Sequence, residues 1–169
     1  MAGKSSLHAQ ATAMSSVPFS AVEDARAAGL YVRIGPEKLA SLSAAFYERV
    51  YSDEPWFRAL FASTSRAAAT RNQVEFHAQE FGGPRLYEER KGPTMLLGRH
   101  GPYAIGKREA ERWLALMEAA IDDVAIVGEE AALLRGYFRH MAWYIVYGRE
   151  LVNPARTVGY YGKHQEGEV

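Results

Sequence analysis

The amino-acid sequence predicts an all-α protein, and three observations carry that prediction. Apolar residues recur at helical steps of three and four in separate stretches: Leu39, Leu42, Phe46 and Val50; then Trp113, Leu116, Met117, Ala120, Ile121 and Val124; then Leu133, Leu134, Tyr137, Phe138, Met141 and Ile145. Glycine and proline divide residues 30–150 at spacings that suit helices joined by short turns. Sustained apolar–polar alternation, the mark of a half-buried strand, is weak throughout.

Each element follows from its own residues. Residues 1–29 are rich in Ala and Ser and lack the continuous apolar run of a secretory leader, so they are expected to form a mobile N-terminal extension. The "GKSS" there is no phosphate loop, because Lys4 leaves no room for the glycine that must precede it. In "GPEKLASLSAAFYERVYSD" Gly35 can cap and Pro36 suits a first helical turn, giving a helix of about four turns. "EPWFRALFA" is short and apolar, one or two turns that carry Phe57, Leu60 and Phe61 inward. Residues 66–81 form a helix that puts Ala69, Gln73, Phe76 and Glu80 on one face and stops at Gly82-Gly83-Pro84.

Gly92-Pro93 and Gly101-Pro102 leave space in residues 85–104 for a loop and one short helix around Leu96–His100. Two long helices follow, over residues 107–124 and 129–148, joined by a short loop at Gly128 and expected to pack antiparallel. Residues 149–169 turn polar and Gly-rich, a C-terminal extension with Tyr160 and Tyr161 as its bulky anchors.

Composition narrows the function. A length of 169 residues fits one domain with tails. Twenty basic residues against twenty acidic ones give no general electrostatic drive toward nucleic acid or an anionic membrane. With no cysteine, disulfides, iron–sulfur clusters, thiolate zinc sites and thiol nucleophiles are excluded, and a cytoplasmic location is expected. No run reaches the length of a membrane span. His77, His140 and His164 do not share a metal-ligand spacing and are read as surface or helix-face residues. The carboxylates Glu75, Glu80, Glu88 and Glu89 are read as charged helix faces, and no catalytic residue is assigned.

A set of separated motifs is more specific. Phe46-Tyr47 is followed by the corner aromatic Phe61, by Gly82-Gly83-Pro84, by Tyr87 three residues beyond that proline, by Arg99-His100-Gly101-Pro102-Tyr103, and by Trp113 thirteen residues after the histidine. This series resembles the signature of the group II truncated haemoglobins, over about residues 30–148. Gly101 and Tyr103 depart from the Ala and Phe usual in that family. The resemblance implies a two-over-two helical sandwich around haem b, held without covalent attachment.

Within that resemblance His100 is the proximal iron ligand, with Gly98 and Gly101 freeing the backbone around it. Taken alone, His100 reads first as a buried structural histidine bonded to a carbonyl, and it is the surrounding signature that reverses that reading. Phe61 would pack on the porphyrin, and Arg99 and Tyr87 would meet the propionates. Tyr47, Gln73 and Trp113 would donate hydrogen bonds to a bound ligand, while the small Ala69 leaves its entry open. By periodicity alone, Tyr47 and Trp113 also fit ordinary core packing.

The function implied is reversible binding of dioxygen or another diatomic ligand, by a monomer or homodimer. The alternative is a haem enzyme for nitric oxide dioxygenation, nitrite reduction or peroxide chemistry. That would need a separate reductase, since the sequence holds no flavin or nicotinamide fingerprint. A helical interaction domain that merely keeps the fold is the third possibility.

Overall fold

The computed structural model describes residues 2–152, and every regular element among them is helical. The elements are α1 (Ala2–Ser15), α2 (Ser20–Ala27), α3 (Leu30–Ile34), α4 (Pro36–Tyr51), α5 (Pro55–Arg58), a 3₁₀ turn (Ala59–Phe61), α6 (Arg66–Glu80), α7 (Leu86–Lys91), α8 (Leu96–His100), α9 (Lys107–Asp123) and α10 (Gly128–Val152). Tyr160 and Tyr161 lie outside the described residues, so the expected role of the C-terminal extension is not addressed by them.

Two helix pairs form the body. α4 packs on α6 and on α9, and α9 packs on α10, so the α4–α6 pair lies against the α9–α10 pair. This is the two-over-two arrangement expected from the resemblance. Local chemistry sets the ends of these helices. Pro36 opens α4. The Ser65 hydroxyl accepts the Ala68 N–H at 3.2 Å to open α6, and Glu109 reaches back to the Gly106 N–H at 2.9 Å to open α9. The core is built from the predicted stripes, with Leu42, Phe46, Met117, Ile121 and Leu134 fully buried.

The N-terminal residues correct the sequence reading. Rather than a mobile extension, residues 2–27 form α1 and α2, which cover one side of α10 and bury Leu7, Ala11, Val22 and Ala25. Their apolar spacing is carried partly by alanines, which read as solvated composition until α10 supplies a surface to bury them on. His8 Nδ1 lies 2.9 Å from His140 Nε2, and His140 Nδ1 lies 2.9 Å from the Val17 carbonyl oxygen. His140 is therefore an interior residue rather than a surface one, and this covering layer explains why α10 is buried on more than one face.

The segment between α6 and α9 holds two short helices where one was expected, because the six residues Leu86–Lys91 complete a turn of their own as α7. Gly82 adopts φ +89°, the left-handed region that favours glycine. A side chain at Gly83 would run into the Tyr31 ring. α8 seats on α10 in a notch: a side chain at Gly148 would collide with Leu97. Buried Arg149, one residue on, donates through Nε to the Tyr103 carbonyl just beyond α8. α10 thereby fixes both α8 and the loop that follows it.

Candidate functional site

The helix pairs, α7, α8 and the 3₁₀ turn line a partly open cavity of about 560 Å³. All eight residues singled out from the sequence, Tyr47, Phe61, Ala69, Gln73, Tyr87, Arg99, His100 and Trp113, line it. They come from six separate elements, and only the tertiary fold brings them together.

His100 ends α8, and its Nδ1 lies 2.7 Å from the Leu96 carbonyl oxygen. A carbonyl only accepts, so Nδ1 carries the proton and Nε2 keeps its lone pair, the tautomer a metal ligand needs. Burial lowers the imidazole's pKa and so favours the neutral ring, and the Leu96 bond opposes this only in part. The backbone freedom expected of Gly98 and Gly101 is not used: Gly101 is right-handed at φ −52°, and the left-handed residue is Met95 at φ +38°, just before α8.

Three polar heads meet no partner among the described residues. Among the described residues the Tyr47 hydroxyl and the Trp113 indole N–H make no hydrogen bond, and buried Gln73 Oε1 makes none either. Their apolar parts are firmly held. Tyr47 packs edge-on against Phe46 and Phe61, with centroids 5.0 and 6.0 Å away, and Trp113 lies between Phe46 and Phe138 at 5.0 and 5.5 Å. Burial raises the Tyr47 pKa, so its hydroxyl stays protonated and able to donate. A buried acceptor such as Gln73 Oε1 is costly to leave without a donor, and the Tyr47 hydroxyl and Trp113 N–H are left available to whatever occupies the cavity.

Arg99 has a more structural setting than the sequence suggested. It donates through Nε to the Thr94 carbonyl at 2.9 Å and through Nη2 to the Lys91 and Pro93 carbonyls at 2.9 and 3.1 Å. Its guanidinium also lies 5.3 Å from the Tyr87 ring centroid, so it clamps the loop between α7 and α8. Nη1 makes no hydrogen bond among the described residues. Lys91, exposed and lining the cavity, is a second cation there that the sequence did not single out.

Two other residues enter that were read differently. His77, expected on a surface or helix face, is 3% exposed and lines the cavity, with burial pushing its pKa down to about 3. Its one signal in the sequence is the spacing of four from Gln73. Tyr137, expected only as core, also lines the cavity and donates from its hydroxyl to Glu80 Oε2 at 2.6 Å, and Glu80 is in turn paired with Arg26 of α2. Among the described residues no group of three or more His, Asp or Glu side chains is placed to hold a bare metal ion.

Comparison with known proteins agrees with this arrangement. A family model described as bacterial-like globin matches residues 29–146. The chain is 40% identical over 126 residues to two-on-two hemoglobin-3 of Arabidopsis thaliana, a match spanning 73% of this chain and 72% of that protein. It is 41% identical over 115 residues to a group 2 truncated hemoglobin of Bacillus subtilis, spanning 66% of this chain and 86% of that one. The X-ray structure of truncated oxygen-avid haemoglobin from Bacillus subtilis superposes with a TM-score of 0.66 at 38% identity, covering 69% of this chain and 98% of the other. The paired helices, the cavity between them and these matches together establish that the chain belongs to the bacterial-like globin family, among its group 2 truncated haemoglobins.

Proposed function

We propose that this globin binds one haem b non-covalently through His100 and holds dioxygen, or another diatomic ligand, with Tyr47, Gln73 and Trp113. The observation that carries the reading is the convergence of three unpartnered polar heads on a cavity that also receives a neutral histidine in the metal-binding tautomer. The residues present fit the cofactor: the apolar walls suit a porphyrin, and the polar atoms find no partner among the described residues. Haem, when bound, supplies an iron atom able to take a diatomic ligand.

The chain does the rest. Leu96 holds the His100 ring in one tautomer and one orientation. Phe61 gives the ring system an aromatic wall, and Ala69 narrows the approach less than a larger residue would. Lys91 and the free edge of Arg99 offer positive charge to carboxylates, with Tyr87 beside them. Tyr47, Gln73 and Trp113 donate to a ligand that carries partial negative charge, each such bond contributing about 1 kcal/mol net. With no cysteine in the chain there is no thioether link to the polypeptide.

The test is a visible spectrum of the chain before and after addition of haem. The expected result is a one-to-one complex whose pigment is extracted by acid acetone, with a five-coordinate histidine signature in the ferrous form. His100→Gly should lose that signature and regain it with added imidazole. A His100→Gly protein that kept a normal spectrum without imidazole would overturn the assignment.

A further inference from the structure

Two buried atoms in the cavity wall make no hydrogen bond among the described residues, and both belong to one helix. Gln73 and His77 are four residues apart on α6, which puts them on one face of the helix. Gln73 Oε1 accepts no hydrogen bond, and His77 Nδ1 makes none. Both residues line the cavity. Around His77 stand the rings of Phe76, Phe81 and Phe138, with centroids 6.1, 5.6 and 5.2 Å away, none of which offers a conventional partner. Burial keeps the imidazole neutral, so it carries a single N–H. An amide oxygen wants a donor, and that N–H is a donor without an acceptor.

We propose that His77 is a positioning residue for ligand binding: in the ligand-bound protein its Nδ1–H donates to Gln73 Oε1, a bond that the two atoms do not make in the present structure, and so turns the amide NH₂ of Gln73 toward the ligand. The inference rests on the reading of this cavity as the haem ligand site. An amide has two unlike ends. Unrestrained, Gln73 could present its oxygen to the ligand and repel partial negative charge. With the oxygen engaged by His77, only the donor end is left to face that charge. The imidazole touches no ligand in this scheme and acts through Gln73 alone, which separates it from Tyr47 and Trp113.

The experiment uses the full-length haem-loaded protein and its variants His77→Leu, His77→Gln, Gln73→Leu and the double variant with leucine at both positions. Oxygen release is followed by stopped flow, and the C–O stretch of the carbon monoxide form by infrared spectroscopy. His77→Leu should release oxygen about threefold to tenfold faster, the loss of one oriented neutral donor. It should also shift or split the C–O band. His77→Gln, which keeps an N–H donor, should restore much of the effect. In the Gln73→Leu background, His77→Leu should change neither readout further, because coupled groups are non-additive.

In the unsubstituted carbon monoxide form, nitrogen-15 spectra should place the His77 proton on Nδ1. The inference fails if His77→Leu, with normal haem content, leaves release and C–O band unchanged, if the two leucine effects add, or if the proton sits on Nε2. It also fails if a low-spin six-coordinate spectrum disappears in His77→Leu, which would make His77 an iron ligand. Failure of the unsubstituted chain to take up haem would instead strike the underlying reading. The nitrogen-15 measurement needs no substitution, so it decides the matter even if a leucine at residue 77 disturbs folding.

Discussion

Tyr47→Phe should weaken ligand retention without weakening the protein, and that opposite behaviour follows from where the hydroxyl sits. The ring is held by Phe46, Phe61 and Tyr51, with centroids 5.0, 6.0 and 6.2 Å away, and phenylalanine keeps each of those contacts. The hydroxyl makes no hydrogen bond among the described residues, so its removal strands no protein atom. Apoprotein stability in urea should therefore stay within about 0.5 kcal/mol of the parent, because no partner is left buried and unpaired. The ligand does lose a donor, worth about 1 kcal/mol, so oxygen release measured by stopped flow should quicken about fivefold. Trp113→Phe is the contrast. It removes a donor and also part of the bicyclic ring packed between Phe46 and Phe138, so release and stability should both change. A Tyr47→Phe apoprotein destabilised by more than about 1 kcal/mol would show that the hydroxyl has an internal role. Unchanged release would show that it holds no ligand.

Three further outcomes can be checked. Leu7→Ala should cost about 2–3 kcal/mol in urea denaturation, since Leu7 is 4% exposed, but no more than the free energy with which α1 docks, because a terminal helix can detach; unchanged stability would mean that α1 adds nothing. Gly148→Ala should push Leu97 and α8 away from α10 at a cost of about 1–3 kcal/mol, and should speed haem transfer to a scavenger apoglobin, with Leu97→Ala restoring slow transfer. The third concerns acid. His77 is buried neutral with a pKa near 3, against about 6.5 in an unfolded chain. The unfolded state then binds a proton that the native state refuses, so the stability this group contributes is complete above about pH 6.5 and falls as the pH drops toward 3. His77→Leu should flatten that part of the apoprotein's stability profile, measured by urea denaturation at several pH values; an unchanged slope would place the acid sensitivity elsewhere.

The sequence was most informative where side-chain chemistry and spacing coincide. Leu39, Leu42, Phe46 and Val50 keep helical period and are buried, and the same holds for much of the Leu116–Ile121 stripe. The site residues are scattered over the chain, so no periodicity joins them; only the Gly-Gly-Pro, Tyr87, Arg-His and Trp113 series made the set legible, and all eight residues do line one cavity. What escaped notice lacked a local signal. Leu7, Ala11, Val22 and Ala25 are few and small, and their burial depends on a helix more than a hundred residues later. His77 follows Phe76 on a helix of mixed polarity, so nothing nearby marks it as interior. Arg99 lines the cavity, but its bonds to three carbonyls of residues 91–94 depend on the conformation of that segment, which no spacing announces.

α10 is gripped differently along its length, and this gives the apoprotein a graded rather than uniform resistance to opening. Its first half is clamped from outside the cavity, where Gly136 lies against Ala21 and His140 meets His8 and Val17. Its last turns meet α8 and the Tyr103 loop, at Gly148 and Arg149, the same pieces that carry His100. Without haem, amide hydrogen exchange should remain slow over residues 130–142 and become fast toward residue 150, together with α8. Cofactor capture then amounts to the closing of one local folding unit on a frame already in place, and its rate should follow the population of that opened segment rather than global refolding.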